Sequence, residues 1–399
     1  MPRRTKEQLT IWTRNLILVA VSGFLVNFGQ GLLRGASTNF FVDTLGLSGK
    51  QVLWLTGIRE IPGLGLMFIA ALFMHFSLPR RTAISLLLMG IGYALYASVH
   101  SYFSLIAVAL IASLGFHNWM PLQRALALSL TTKERSGRVL GALSAVGAVA
   151  SIVGMGAIAL FSKLFSGISL RFYYAIGGTL IALAALAILK IPPQVGATEA
   201  RQPRMLLKKR YWLFYVLTLF EGSRMQVFGA FGTLVLVQNY GLEVWQISLL
   251  LLASSIVNFL AAPYLGYLLD RFGERLVLST SYVLLALCFA GYATFHNAWA
   301  LGSLLILINL LVILGMGLST YVNRIAPPEE LTPTLAAGVS INHITSVSIS
   351  LIAGTLLQIV GYEALCWGAA VIIMLSVPFA LALKTQKDSA PQLRSTLAE

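Results

Sequence analysis

Of the 399 residues 57% are hydrophobic and only 11% are charged, where a soluble domain carries roughly 25% charged residues. So little polar surface cannot cover a water-soluble globule of this length. The net charge of +14 sits in short stretches between apolar runs, with no basic helix or aromatic-interleaved patch, which argues against nucleic acid as a partner.

The apolar runs are about 20 residues long, enough to cross ~30 Å of hydrocarbon, and they predict an all-α membrane protein of twelve spans. Pro2, Arg3, Arg4 and Lys6 resemble the start of a signal peptide, but the apolar run from Leu16 continues past Phe41 with no small-residue cleavage site. That predicts an uncleaved span 1 over 16–41. Spans 2 to 6 follow over 50–75, 82–100, 102–128, 137–162 and 171–190. The longest polar stretch, Ile191 to Arg210, contains Pro192, Pro193, Gly196 and Pro203. It predicts a linker over 191–210, its basic cluster near anionic headgroups, between an N-terminal half (1–190) and a C-terminal half (211–399). Spans 7 to 12 are expected over 211–238, 244–269, 276–295, 299–324, 333–360 and 362–384. Cys288 and Cys366 each lie inside such a run and read as small buried hydrophobes, implying neither a disulfide framework nor a metal site.

Lysine and arginine set the expected orientation. With the N-terminus inside, the cytoplasmic segments hold 21 of them and the opposite segments only Lys50, Lys163 and Arg171. This predicts a multi-pass inner-membrane protein with both termini in the cytoplasm.

The two halves share a weak internal repeat. Gly46-Leu47-Ser48-Gly49-Lys50-Gln51-Val52 parallels Gly241-Leu242-Glu243-Val244-Trp245-Gln246-Ile247. Tyr96-Ala97-Ser98-Val99-His100 parallels Tyr292-Ala293-Thr294-Phe295-His296. Leu114-Gly115 followed by Arg124 parallels Leu314-Gly315 followed by Arg324. The order and the nearly constant offset imply two pseudo-symmetric six-span halves, an arrangement that puts a binding site at their interface near the midplane.

Between spans 8 and 9 stands Gly266-Tyr-Leu-Leu-Asp270-Arg271-Phe-Gly273-Glu274-Arg275. It is similar to the G-x-x-x-D-R-x-G-R-R loop of the major facilitator superfamily. Gly115, Pro121 and Lys133-Glu134-Arg135-Ser136-Gly137-Arg138 resemble a second pattern of that family, joining spans 4 and 5. The resemblance covers nearly the whole chain and implies a twelve-helix secondary transporter working by alternating access. It also implies a cytoplasmic gate at Asp270, Arg271, Gly273 and Arg275, with Asp270 accepting backbone N–H groups at the start of span 5, near Ser136 and Gly137, and Arg324 close by. The first-half copy of the loop is degenerate: His75 falls where Asp is expected, Phe76 replaces Arg and Leu78 replaces Gly. The family's arginine early in span 4 falls at about Ile111, and span 5 lacks the Gly-Pro pair of drug-efflux branches.

An ionisable group at bilayer depth costs at least ~2.5–3.5 kcal/mol and needs a partner or an aqueous cavity. Arg59 and Glu60 lie near the middle of span 2, Glu221 and Arg224 near the middle of span 7, and Arg34 in the outer part of span 1. As functional groups, Arg34, Arg59 and Arg224 form a cationic lining with Glu60 and Glu221 as counter-charges or proton carriers. As structural groups, Glu221 and Arg224 pair along one helix and Arg34 reaches for the interface. His117-Asn118-Trp119 in span 4 and Asn342-His343 in span 11 serve substrate or proton transfer, or else interhelical hydrogen bonding.

The expected function is movement of a small organic solute, weakly favouring one with an anionic group because arginine's fork suits carboxylate or phosphate. The alternative is proton-coupled efflux of hydrophobic or amphipathic compounds. A sensor or scaffold that binds without transporting is a reading of another class. No recognised hydrolase or metal motif is present, so no enzyme and no cofactor are expected, and no G-x-x-x-x-G-K-[ST] loop supports ATP drive. The expected partners are the solute, protons and the bilayer, with the protein a monomer.

Overall fold

The computed structural model describes residues 12–65, 75–132, 135–165, 167–196 and 207–384. Among them every regular element is a helix, and seven helices are long and apolar enough to cross a membrane. Two of the seven, Val244–Thr294 and Pro328–Leu381, are each interrupted by one glycine with non-helical backbone. Gly273 (φ 78°, ψ 159°) and Gly361 (φ 79°, ψ 176°) occupy a region that side-chain-bearing residues essentially never enter. Each break therefore divides one run into two spans: 8 and 9 at Gly273, 11 and 12 at Gly361. Three further helical stretches complete the twelve spans among the described residues: the broken span 2 (Gly49–Ile58 and Ile61–Leu64), span 3 (Leu78–Leu95) and span 7 (Trp212–Tyr240).

Helix ends follow local chemistry. Thr13 Oγ1 accepts from Leu16 N at the start of span 1. Ser101 and Ser104 form a reciprocal capping box at the start of span 4, and Asn297 Oδ1 caps Trp299 and Ala300 at the start of span 10. Such caps satisfy N–H groups that have no intrahelical partner. Span 3 starts at Leu78, earlier than the 82 expected, with Pro79 in its first turn. Proline is at home there because its missing N–H needs no partner, and Arg80 and Arg81 thus lie on the helix rather than in a loop.

Span 2 departs most from its expected form. Pro62 has no N–H for the Ile58 carbonyl, and the turn tightens so that Gly63 N donates to Glu60 O at 3.0 Å. The Arg59 carbonyl, which Gly63 would serve in a regular helix, instead accepts a hydrogen bond from Ser113 Oγ of span 4. Arg59 and Glu60 are the two residues between the helical pieces.

The chain forms two compact units. The first comprises residues up to Gln51, those from Ile58 to Ala200, and Leu242–Leu252. Its core includes Phe40, Tyr96 and Tyr174, with Tyr96 and Tyr174 stacked at 4.9 Å and Phe40 at 4.3 Å from Tyr174. The Lys163 ammonium lies 4.5 Å over the Trp245 ring in the same unit. The second comprises Val52–Gly57, Arg201–Gly241 and Ala253–Glu399. There Trp54 Nε1 donates to Leu351 O at 3.0 Å, and Ser346 Oγ of span 11 donates to Gly222 O of span 7 at 3.3 Å.

Candidate functional site

In the first unit the two charged residues at the break in span 2 face different partners. Arg59 Nη2 donates to Tyr93 Oη of span 3 at 3.1 Å. Glu60 Oε2 lies 3.5 Å from His117 Nε2 of span 4. His117 is buried, and its Nδ1 lies 2.9 Å from Ser113 O and 3.0 Å from Ser113 Oγ. Carboxylate, imidazole, hydroxyl and the freed Arg59 carbonyl thus form one continuous chain. Asn118 and Trp119 are also buried. The Asn118 amide donates to Leu114 O of its own helix at 2.9 Å, and the Trp119 ring lies 6.4 Å from that of Phe116. The Arg34 side chain is exposed.

In the second unit Arg224 of span 7 is 6% exposed. Its guanidinium lies 4.3 Å over the ring of Tyr282 in span 9, a geometry that attracts a cation to the ring face. Its Nε and Nη1 atoms are buried without a hydrogen-bond partner. Glu221, one turn earlier, turns to Gly315, where a tight 3-10 turn (Ile313–Gly315) interrupts span 10. A Cβ on Gly315 would lie 2.1 Å from Glu221 Oε1 and 4.0 Å from Arg224 Nη2, so the absent side chain makes room for the carboxylate. Span 11 approaches the same stretch of span 7: a Cβ on Gly222 would meet Asn342 O at 2.9 Å. Asn342 and His343 are partly exposed on that helix.

The loop between spans 8 and 9 is an arginine and aromatic cluster. Arg271 is exposed, donates to Tyr267 Oη at 3.2 Å and lies 5.3 Å over the Phe272 ring. Asp270 and Arg275 are exposed. Arg324 is ion-paired with Glu274, which is 7% exposed. Before span 7, Lys208 Nζ lies 2.7 Å from Glu330 Oε1, Arg210 pairs with the same carboxylate, and Tyr211 Oη donates to it at 2.8 Å. The bond to Glu330 raises the proton affinity of the Arg210 guanidinium above its ordinary value, against a smaller effect of burial.

Several solved transporters share this architecture. A mutant form of the nucleoside transporter NupG superposes with a TM-score of 0.76 at 18% identity, over 93% of this chain and 100% of that one. A bacterial homologue of the human lysosomal transporter Spinster, inward-facing and occupied, gives 0.72 at 14% identity over 93% and 97%. Identities this low speak to the fold alone. No curated protein sequence matches the chain. The sequence profile of the Major Facilitator Superfamily matches residues 19–320 and, separately, 214–398. The chain belongs to this superfamily. As a major facilitator it is a multi-pass membrane transporter and not an enzyme.

Sequence reasoning singled out the charged members of both clusters and missed their neutral and packing partners. Ser113, Tyr93 and Tyr282 carry no signal that separates them from ordinary span residues, and Gly315 was marked only by the internal repeat. Glu274 did carry one. It stands where the family loop has arginine, a charge reversal that an oppositely charged partner such as Arg324 answers.

Proposed function

We propose that this major facilitator moves a small organic solute bearing an anionic group, with Arg224 as the residue that recognises it. The observation that carries this reading is the state of Arg224: nine-tenths buried, stacked on Tyr282, and with two nitrogens, Nε and Nη1, lacking an acceptor. Leaving a buried donor without a partner costs about 1–3 kcal/mol, more when it is charged. A carboxylate or phosphate oxygen reaching Arg224 as the spans move would relieve that cost, and Glu221 beside it serves as the resting counter-charge. The balance of 21 basic residues against 3 across the loops supports an inner-membrane location with both termini in the cytoplasm.

The test is purified protein titrated with carboxylates, phosphates, neutral nucleosides and cationic amphiphiles, followed by uptake of the stabilising compounds into proteoliposomes. Anionic solutes are expected to stabilise and to be transported. Arg224→Gln is expected to weaken anionic ligands by about 1.5–3 kcal/mol, the scale of a hydrogen bond to a charged group, and to leave neutral analogues nearly unchanged. Stabilisation by cationic amphiphiles alone would favour efflux of such compounds instead, and equal losses across ligand classes would make Arg224 a packing residue.

A further inference from the structure

We infer that Asn27 and Gln30 of span 1 and Gln123 of span 4 form a carboxamide subsite in the first unit that recognises hydroxyl or amide groups on the transported solute. This deepens the reading above by naming a second kind of group on the solute. It rests on that reading for the transport of a solute and not for the role of Arg224.

All three residues lie at bilayer depth. At about 1.5 Å per residue, Asn27 and Gln30 are roughly 20 and 24 Å along span 1 from Arg14, and Gln123 is roughly 9 Å from the Ser129 end of span 4. Their amides point at neighbouring spans of the same unit. A Cβ on Gly147 of span 5 would lie 3.0 Å from Asn27 Nδ2, and one on Gly23 of span 1 would lie 3.6 Å from Gln123 Nε2. Asn27 Nδ2 also donates to Gly23 O at 2.7 Å, so the Asn27 and Gln123 amides share the neighbourhood of Gly23. Gln30 follows one turn further along span 1, with its Nε2 3.7 Å from Met89 Sδ of span 3.

A polar side chain inside a bundle commonly holds helices together by bonding across them. These three do not. Among the described residues, the Asn27 amide bonds only its own helix, Gln30 finds only a thioether, which is a weak acceptor, and the Gln123 side chain makes no hydrogen bond. Asn39, also on span 1, shows the bridging arrangement. It is 1% exposed, and its Nδ2 donates to Asp43 Oδ2 at 2.8 Å and to Leu242 O, just before span 8, at 2.9 Å. Asn27, Gln30 and Gln123 are instead partly exposed. Polar groups that are accessible at this depth, and not spent on other spans, mark a solute pathway.

The carboxamide itself decides the ligand chemistry. Each offers a carbonyl acceptor and an NH2 donor and carries no charge. Hydroxyls and amides donate and accept at once and so satisfy both ends. An aliphatic chain satisfies neither and would strip water from the amides without replacing its hydrogen bonds. The cluster therefore favours a hydrophilic solute over an amphipathic one.

The experiment is ligand binding to the full chain in nanodiscs, with four probes: hexanoate, its polyhydroxylated counterpart gluconate, its amide counterpart N-acetyl-β-alaninate, and neutral sorbitol. Each is titrated against wild type, Gln30→Met, Gln123→Met and Asn27→Leu, and melting curves are recorded without ligand. Gluconate or N-acetyl-β-alaninate is expected to bind about tenfold more tightly than hexanoate, the effect of one to two hydrogen bonds. Each substitution should cut that preference about three- to tenfold while leaving hexanoate affinity and the melting temperature unchanged. If Asn27→Leu does not fold, Gly147→Ala, which crowds the Asn27 amide, is read in its place. Earlier melting with equal losses for all probes would make the three amides packing groups and overturn the subsite. So would a wild-type protein that binds neither gluconate nor N-acetyl-β-alaninate better than hexanoate. Sorbitol binding that depends on Gln123, with no gain from a carboxylate, refutes the anionic reading alone. Carboxylate binding that depends on Arg224 but ignores the hydroxyl and amide groups refutes the subsite alone.

Discussion

Gly115 and Gly315 hold matching positions in the sequence repeat and do different work. A Cβ on Gly115 would lie 2.2 Å from Met89 N and 2.5 Å from Ser85 O. These are backbone atoms that no side-chain rotation can move, so spans 3 and 4 would have to separate. Gly115→Ala is expected to destabilise the protein by about 1–3 kcal/mol, the range for overpacking a close contact, read as a lower melting temperature. The atom nearest a Cβ on Gly315 is the tip of Glu221, which can swing aside. Gly315→Ala should therefore melt close to wild type while changing affinity for the anionic ligand, because Glu221 is displaced relative to Arg224. Melting curves and ligand titrations on both variants check the contrast, and a Gly315→Ala protein that melts early but binds normally would contradict it.

Breaks in helices organise the elements. At Gly361 the backbone adopts φ 79° and ψ 176°, and an alanine there is expected to cost about 1–3 kcal/mol in strain. Gly368, further along the same run, is helical and has open space where a Cβ would project. Gly368→Ala should stabilise by about 0.5–1 kcal/mol through lost backbone freedom in the unfolded chain. Thermal unfolding of the two single variants distinguishes them, and shifts of the same sign would show that the 11–12 break does not depend on glycine geometry. The break in span 2 depends on proline instead. Pro62→Ala restores the missing N–H, lets Gly63 return to the Arg59 carbonyl, and so competes with Ser113 for it. The expected result is unchanged or higher thermal stability with solute uptake at least tenfold slower, about 1.4 kcal/mol on the barrier. Wild-type uptake by this variant would mean that the break is incidental to function.

For the whole molecule, the two copies of the loop motif differ and should act differently. Asp270 stands in an intact loop, whereas His75 occupies the matching place in the degenerate one. If the gate lies at the intact loop, Asp270→Asn slows turnover severalfold and raises labelling of single cysteines introduced on the cytoplasmic side, while His75→Asn does little. Equal effects of the two substitutions would remove the asymmetry. Arg324 belongs to this region through Glu274, so Glu274→Gln, which removes the buried counter-charge of a half-buried guanidinium, should impair turnover more than Arg275→Gln at an exposed position.

The twelve spans, the repeat and the superfamily were legible in the sequence because bilayer thickness imposes a length on every apolar run and the family loop survives intact between spans 8 and 9. The position of the 11–12 break was legible too, since Gly361 stands between two long apolar runs. The charged residues of both clusters announced themselves by being expensive at bilayer depth. What each one touches was decided only by the tertiary structure. Pro62 was visible as a letter, but that it frees the Arg59 carbonyl for Ser113 depends on where span 4 passes. Glu60 was expected as a counter-charge to the arginines or a proton carrier, and in the fold it faces His117. Glu221 and Arg224 have the spacing of an intrahelical pair, yet one packs at Gly315 and the other on Tyr282. Hydrogen bonds and ring contacts are short-ranged and directional, so they follow from which helices are neighbours, and apolar run length carries no record of that.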